Sequence, residues 1–211
     1  MSGREYHESL WEQVPEGARP ESFAPRRDFL LANVAGGQRV LDVGCGEGWF
    51  TSELGRAGAE AVGIDVAEEP LRRARRRDGS LDLRLVAPCG GWSGSGLGDA
   101  EFDAVWAGEV VEHVADTAGL LSEMRRVLRP GGTLLLSTPD HGPLRVLALG
   151  MRPRRFDAWF HPRSDHLRFY TRRTLAALLE EFGFGDVRVR GVGGVPLARR
   201  TLLASARRGR F

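Results

Sequence analysis

Five consecutive residues, Gly44-Cys45-Gly46-Glu47-Gly48, form the clearest candidate ligand-binding loop in the sequence. They end an apolar run at 39–45 that predicts a strand, and they precede a predicted helix at 49–57. Glycine lets the backbone turn sharply and approach a ligand closely, because it has no Cβ. The spacing excludes two common sites. Trp49 occupies the third-glycine position of a dinucleotide-binding loop, and the chain has no lysine for a phosphate-binding P-loop.

Asp65 is the second candidate binding residue, and it lies near the end of another apolar run at 60–66. A carboxylate about 20 residues past such a loop can accept hydrogen bonds from both ribose hydroxyls of an adenosine. Alone, an aspartate at a strand end is more often a turn or helix-capping residue. Together with the glycine loop, Asp65 predicts a ligand that contains adenosine.

These residues must be positioned by a sheet, because short apolar runs alternate with helical patterns along the chain. That alternation predicts an α/β fold with a largely parallel sheet and helices on both faces. In such a sheet, ligands bind at the carboxyl ends of the strands. The other predicted strands are 81–87, 102–107, 133–138, 187–192 and 201–207, and the other predicted helices are 25–34, 68–77, a helix around 120–128 and 171–182.

Composition and charge exclude several classes of protein. Of the 211 residues, 42% are apolar and 27% charged, and no apolar run is long enough for a membrane span. The polar N-terminus does not resemble a secretory signal, so we expect a cytoplasmic protein. A net charge of +2 with interspersed acids argues against a nucleic-acid partner.

The cysteines and basic residues exclude several kinds of chemistry. Cys45 and Cys89 have no ligand-spaced partners, so we expect neither a disulfide framework nor a metal site. All thirty basic residues are arginine. The absence of lysine rules out Schiff-base and lysine-nucleophile mechanisms.

Five ordered sequence blocks over roughly residues 25 to 190 make the chain resemble the class I S-adenosylmethionine (SAM)-dependent methyltransferases. The small-molecule enzymes of the UbiE/UbiG type are the most similar. The resemblance implies SAM as cofactor and a Rossmann-like seven-stranded sheet, mostly parallel with an antiparallel last strand. The blocks are VLDVGCGEG, VGIDV, FDAVWAGEVVEHVAD, MRRVLRPGGTLLLSTP and HLRFYTRRTLAALLEEFGF.

The resemblance also implies which residues hold the methionine part of SAM. The backbone around Gly44, Cys45 and Gly46 would contact it directly. Asp42 would favour its ammonium or sulfonium end, and the backbone of Ala107 would meet the methionine moiety.

For the rest of the cofactor, Asp65 would accept the ribose hydroxyls and Val66 would pack on the adenine. Arg27 would pair with the cofactor carboxylate. The chain departs from the family after the third predicted strand, because 87–92 lacks the acidic residue that commonly holds the adenine amino group. Trp92 could stack on the adenine instead, or it could simply fill the core.

Methyl transfer from a sulfonium is an in-line displacement, and a hydroxyl or amine acceptor must also lose a proton. Histidine is the usual base near neutral pH, and three histidines are candidates. His113 lies in the EVVEH block, where a structural role is the alternative. His141 follows the fifth predicted strand, beside Asp140, which could orient it or itself serve as the base. His166 opens the last block, where flanking a helix is the alternative.

The variable segments should recognise the acceptor. We expect one domain made of a lid (1–24), a SAM-binding core (25–139), a substrate-recognition insert (140–170) and a C-terminal helix with strands (171–211). Tyr6 and Trp11 lie at helical spacing in the lid. The insert mixes apolar and aromatic residues with arginines. That mixture suits a small core of its own, a pocket for an aromatic acceptor, or a peripheral contact with a membrane.

The predicted function is therefore methyl transfer from SAM to an oxygen, nitrogen or carbon of a small, apolar or aromatic metabolite, such as a natural product or quinone. The alternatives are an RNA or protein methyltransferase, suggested by the arginine run at 71–78, and a SAM-binding protein without catalysis. A monomer and a homodimer are both consistent with the sequence.

Overall fold

The computed structural model describes residues 3–88, 91–161, 164–195 and 199–209, so Cys89 lies outside the described residues. A seven-stranded sheet in the order β3-β2-β1-β4-β5-β7-β6 forms its centre. The first five strands are parallel, and β7 pairs antiparallel with both β5 and β6. This confirms the expected fold, including the antiparallel last strand. The strands are β1 (Arg39–Val43), β2 (Glu60–Asp65), β3 (Asp82–Leu85), β4 (Phe102–Gly108), β5 (Leu128–Pro139), β6 (Phe184–Val192) and β7 (Thr201–Arg208).

Helices cover both faces of the sheet, as expected. They are α1 (Gly3–Trp11), α2 (Phe23–Leu31), α3 (Trp49–Arg56), α4 (Glu68–Arg77), α5 (Thr117–Val127), α6 (Pro143–Gly150), α7 (Pro153–Trp159) and α8 (Arg172–Glu181). One core cluster joins α2 and α3 to one face, and a larger cluster joins α5 and α8 to the other. The alternation of side chains along each strand produces this division, because successive residues point to opposite faces.

The order of the strands places the site. From β1 the chain runs outward to β2 and β3, and it then returns to pair β4 with the other side of β1. Ligands bind at the carboxyl ends of the strands beside such a reversal. The glycine loop after β1, Asp65 at the end of β2 and Gly108 at the end of β4 all meet there.

Several strand boundaries differ from the sequence-based prediction, and two of the differences have a clear cause in the structure. β1 ends at Val43, because Gly44 has a φ of +65° that an extended strand does not accommodate. β5 begins at Leu128 instead of residue 133, since Leu128 already pairs with Phe102. The register shifts between Phe102 and Ala104, so that residues 129–132 lie inside β5 as an irregularity.

The segment predicted as the insert contains α6 and α7, two short helices in which no described residue is buried. In the same segment the ring of His141 contacts the rings of Trp159, at the end of α7, and Phe169, with centroids 5.8 and 4.9 Å apart. Among the described residues, no helix combines the length and apolar character that a membrane span requires.

Candidate active site

A cavity of about 610 Å³ opens at the carboxyl edge of β1, β2 and β4. Its volume is within the range of small-molecule sites, which combine apolar walls with a few placed polar groups. It is lined by His7, Leu10, Trp11 and Val14, by Val43, Gly44, Ile64, Asp65 and Val66, by Val86, Ala87, Pro88 and Trp92, by Glu109, Val110, His113, Val114, Ala115 and Leu120, and by Asp165 and Leu167.

Asp65 ties the glycine loop to the start of α4. Its Oδ2 accepts the N–H of Gly46 at 2.9 Å, and its Oδ1 accepts the N–H of Ala67 at 3.0 Å. Burial raises the pKa of this carboxyl above its usual value. Because a carboxylate has about four acceptor positions, the two backbone bonds leave acceptor capacity on a group that lines the cavity.

Asp42 lies on the other side of β1, outside the cavity lining. Its Oδ2 accepts a hydrogen bond of 2.6 Å from Thr51 Oγ1 in the first turn of α3. Only 1% of the residue is exposed, and burial raises the pKa of its carboxyl to about 7. Asp42 therefore supports the glycine loop and α3 from behind and does not face the cavity.

Two adjacent arginines precede β1, and only one of them points inward. Arg27 is on the surface and pairs with Asp28 at 2.7 Å. Arg26 is buried, with Nη1 donating to the carbonyl of Glu21 at 3.0 Å and Nε 4.0 Å from Glu109 Oε1. Its Nε makes no hydrogen bond to any described residue, and burial lowers the pKa of its guanidinium. Arg26 is therefore better placed than Arg27 for the predicted contact with the cofactor carboxylate.

The end of β4 contributes Glu109, which the sequence-based prediction did not include. Glu109 lines the cavity with a φ of +59°, which is uncommon for a residue with a side chain. Its carboxylate accepts from Ser137 Oγ at 2.8 Å, and its N–H donates to the carbonyl of Ser137 at 2.9 Å. Ala107, two residues earlier, is fully buried in the sheet.

Trp92 lies in the cavity wall, at the end where Val66 and Leu120 also contribute. It is 3% exposed, and its backbone N–H donates to Glu123 Oε2 at 3.1 Å. The indole therefore both packs in the core and presents a surface to the cavity. Trp92 belongs to the segment 87–92, which lacks the acidic residue that the family commonly has there.

His113 is the one predicted base that lines the cavity among the described residues. Its Nδ1 lies 3.1 Å from the carbonyl oxygen of Asp165 and 3.4 Å from Asp165 Oδ2. If Nδ1 carries the proton and donates to that carbonyl, Nε2 keeps its lone pair. Burial lowers the pKa of the imidazole below its usual value.

Glu112 and His166 surround His113. Glu112 is fully buried and accepts from Thr138 Oγ1 at 3.0 Å, and burial raises the pKa of its carboxyl well above its usual value. The ring of His166 meets the ring of His113 edge-on at 4.8 Å. Glu112, His113 and His166 each offer a ligand atom within 4.8 Å of the others, which is close enough for one cation.

His141 has both ring nitrogens engaged. Its Nδ1 lies 3.1 Å from the carbonyl oxygen of Pro139, and its Nε2 lies 3.2 Å from the indole nitrogen of Trp159. Because an indole N–H can only donate, Nε2 is the acceptor and Nδ1 carries the proton. Burial lowers the pKa of His141 to about 4. This geometry does not support the prediction of His141 as a base, and its contacts fasten α7 to the end of β5.

The N-terminal segment forms one side of the cavity. α1 contributes His7, Leu10 and Trp11, and the Trp11 ring lies so close to the loop that a Cβ on Gly46 would be 2.9 Å from it. The side chain of Tyr6, the other predicted aromatic of the lid, lies outside the described residues. The helical spacing of Tyr6 and Trp11 was the only sequence pattern that indicated the contact between Trp11 and the glycine loop.

Four of the five arginines in the run at 71–78 pair with acidic neighbours, and the fifth, Arg77, donates to the carbonyl of Glu47 and stacks on Trp49, so the run does not form a free basic surface. Its ion pairs are Arg72 with Glu69, Arg73 with Glu69 and Glu47, Arg75 with Glu68, and Arg76 with Glu16. The feature that suggested RNA as a substrate therefore has a structural explanation.

Comparison with known proteins identifies the family. The family described as "Methyltransferase domain" matches residues 11–189. The chain is 32% identical over 180 residues to the ubiquinone biosynthesis O-methyltransferase of Dinoroseobacter shibae, covering 84% of this chain and 72% of that protein. It is 37% identical over 162 residues to the human mitochondrial protein of the same name, covering 74% of this chain but only 44% of that protein.

A solved structure shows the same fold. Phosphoethanolamine N-methyltransferase 2 of Haemonchus contortus, in complex with SAM, superposes with a TM-score of 0.68 at 17% identity, over 94% of this chain and 55% of that chain. The family match covers most of the chain, and the sequence relatives agree with it. The chain therefore belongs to the SAM-dependent methyltransferases.

Proposed function

We propose that the chain transfers the methyl group of SAM to an oxygen of a small aromatic acceptor. The observation that carries the proposal is a single cavity whose lining combines Asp65 and Gly44 of the glycine loop with Glu109, His113 and Asp165. SAM supplies an electrophilic methyl group on a sulfonium. The relatives named O-methyltransferase favour oxygen over nitrogen or carbon as the acceptor atom.

One group of residues in and around the cavity fits SAM. Asp65 would accept the ribose hydroxyls with its remaining lone pairs, while the backbone from Gly44 to Gly46 would contact the methionine part. Val66 and Trp92 would hold the adenine by packing, which replaces the missing carboxylate with apolar surface.

For the carboxylate of SAM we assign Arg26 in place of Arg27. Arg26 is buried, carries an Nε without a hydrogen bond to any described residue, and lies close to Gly108 at the end of β4. A buried guanidinium of this kind is stabilised by a second anion beside Glu109. Glu109 would then face the ammonium group of the cofactor, next to the backbone that follows Ala107.

A second group of lining residues suits an aromatic acceptor. Val110, Val114 and Leu167 supply apolar walls, and His113 with Asp165 supplies polar groups. We propose that His113 removes the proton of the acceptor hydroxyl through Nε2 while the carbonyl of Asp165 holds Nδ1–H. Most of the remaining catalysis would come from positioning the two reactants.

A second candidate role for the same group is metal binding. The ligand atoms of Glu112, His113 and His166 lie within 4.8 Å of one another, although the sequence had suggested no metal. A divalent cation there would lower the pKa of the acceptor hydroxyl instead of His113 removing its proton directly. Activity that is lost with a chelator and restored by Mg²⁺, Mn²⁺ or Zn²⁺ would favour this role.

The insert also exposes an apolar surface that we propose contacts anionic phospholipid. Leu144, Leu147 and Met151 are 50%, 61% and 71% exposed, and we call these three residues the insert face. The exposed arginines at 152, 154 and 155 follow directly. Apolar side chains beside a cluster of arginines suit an anionic membrane surface, from which an apolar acceptor could be collected.

The test is methyl transfer to a panel of phenols, catechols and amines, together with calorimetric binding of S-adenosylhomocysteine. Asp65→Asn should raise the Kd for S-adenosylhomocysteine by roughly a hundredfold, because a charge-assisted hydrogen bond contributes about 1.5–3 kcal/mol. Asp82→Asn, on the neighbouring β3, is the matched control and should bind normally. Unchanged affinity in Asp65→Asn would refute the ribose assignment, and transfer to amines alone would refute the oxygen acceptor.

A further inference from the structure

α1 is attached to the body of the protein through α4, the helix that follows Asp65. The attachment matters for ligand exchange because α1 carries Leu10 and Trp11 into the cavity wall. The Trp11 ring also covers Gly46 of the glycine loop. Any ligand bound in the cavity beside Gly44 and Asp65 is therefore enclosed on one side by α1.

The first attachment is the carboxylate of Glu8. Its Oε1 accepts the N–H of Glu68 at 2.6 Å, and its Oε2 accepts the N–H of Glu69 at 3.1 Å. These are among the N–H groups that the first turn of a helix leaves without partners. The carboxylate also interacts favourably with the positive end of the α4 dipole. A residue 60 positions away in sequence thus acts as the cap of α4.

The second attachment is the guanidinium of Arg73, which is 9% exposed. It donates to the carbonyls of Trp11 at 3.0 Å and Val14 at 2.8 Å, at the end of α1. Helix C-termini leave such carbonyls without partners, and a cation there is favourable. Glu69, at 2.7 Å from Arg73 Nε, and Glu47, at 3.4 Å from Nη1, hold the guanidinium in place.

We propose that Glu8 and Arg73 are positioning residues that latch α1 over the cofactor and thereby set how fast SAM enters and S-adenosylhomocysteine leaves. The inference rests on the proposed placement of the cofactor beside Asp65. Every latch contact joins two protein groups, so weakening the latch should favour the open position of α1 equally with and without ligand. Entry and release should then accelerate together, whereas the Kd should change little.

The experiment is stopped-flow binding and displacement of S-adenosylhomocysteine with the full chain. Glu8→Gln removes the charge of the cap but keeps its size, and Glu12→Gln makes the same change on a nearby exposed residue. We expect about a tenfold rise in both rate constants for Glu8→Gln, which corresponds to about 1.4 kcal/mol, with the Kd within about threefold. Glu12→Gln should exchange ligand at the wild-type rate.

Arg73→Lys provides the second test, because lysine keeps the charge but loses the planar fork that reaches two carbonyls. Arg72→Lys is its control, since Arg72 is exposed and pairs only with Glu69 among the described residues. Wild-type rates in both latch variants, or faster release without faster entry, would overturn the latch. A wild-type chain that does not bind S-adenosylhomocysteine would instead refute the cofactor placement on which the latch rests.

Discussion

At the scale of single residues, His113 and His141 show how hydrogen-bond partners decide the role of a side chain. His113 lines the cavity with Nδ1 beside the carbonyl of Asp165, while its Nε2 is 4.0 Å from Glu112 Oε1, beyond hydrogen-bond distance. In His141 the acceptor nitrogen is occupied by the indole N–H of Trp159, which can only donate. The two imidazoles are therefore chemically identical, but only that of His113 has an acceptor nitrogen available to a ligand.

We expect His113→Gln to lower kcat by about a hundredfold or more, the usual contribution of a general base, with unchanged affinity for S-adenosylhomocysteine. His141→Gln should lower the free energy of unfolding by about 1–2 kcal/mol, because it loses buried hydrogen bonds, and leave kcat nearly unchanged. Steady-state kinetics and denaturant unfolding measure the two effects. A large loss of kcat in His141→Gln with normal stability would reverse these assignments.

Asp42 predicts a specific dependence of stability on pH. Its pKa is about 7 in the folded chain, compared with about 4 in an unfolded one. The folded state therefore keeps a proton that the unfolded state has lost, so this group makes folding less favourable as pH rises from about 4 to about 7. Above that window the penalty stays constant.

Asp42→Asn should remove this penalty. The free energy of unfolding of the variant, relative to that of the wild type, should therefore increase by up to about 1.4 kcal/mol for each pH unit across the window. Urea unfolding at several pH values measures the difference. Asp28→Asn, a substitution on the surface, is the control. Parallel pH profiles for wild type and Asp42→Asn would show that the carboxyl ionises normally in the folded protein.

At the scale of the element, the helical period of α2 separates two adjacent arginines. Successive residues of a helix point about 100° apart around its axis. The buried residues of α2 are Arg26, Phe29 and Leu30, which share a face at the i, i+3, i+4 spacing. Arg27 consequently points to solvent, where it pairs with Asp28.

Substitution of each arginine tests this assignment. Arg26→Gln should raise the Kd for SAM by at least tenfold, because a buried charged hydrogen bond to the cofactor carboxylate is lost. Arg27→Gln should remain within about twofold of wild type, because only a surface ion pair is lost. Calorimetry measures both, and equal effects of the two substitutions would contradict the placement.

At the scale of the whole molecule, the insert face determines how the protein would meet an apolar acceptor. Leu144 and Leu147 of the insert face lie on α6, which buries no described residue, and Met151 follows at its end. Arginines come next in the chain. An apolar patch flanked by positive charge gains binding energy from both hydrophobic insertion and anionic lipid.

We expect the protein to sediment with vesicles of phosphatidylglycerol and phosphatidylcholine, and not with phosphatidylcholine alone. The double substitution Leu147→Gln and Met151→Gln should reduce the bound fraction severalfold, because each removes apolar surface that the membrane would bury. Val195→Gln, at a comparably exposed valine elsewhere, is the control. Binding that is equal for both vesicle types, or unaffected by the double substitution, would refute the membrane contact.

The sequence by itself determined the sheet, the glycine loop after β1, the aspartate that ends β2, and membership of the methyltransferase family. These depend on local patterns, such as strand alternation, glycine spacing and ordered blocks, which are readable along the chain. The tertiary structure decided that Arg26 and not Arg27 is buried, that His141 is engaged by Trp159, and that Glu8 caps α4. Each of these joins segments far apart in sequence or depends on helix phase, and hydrogen-bond partners of that kind are fixed only when the segments pack.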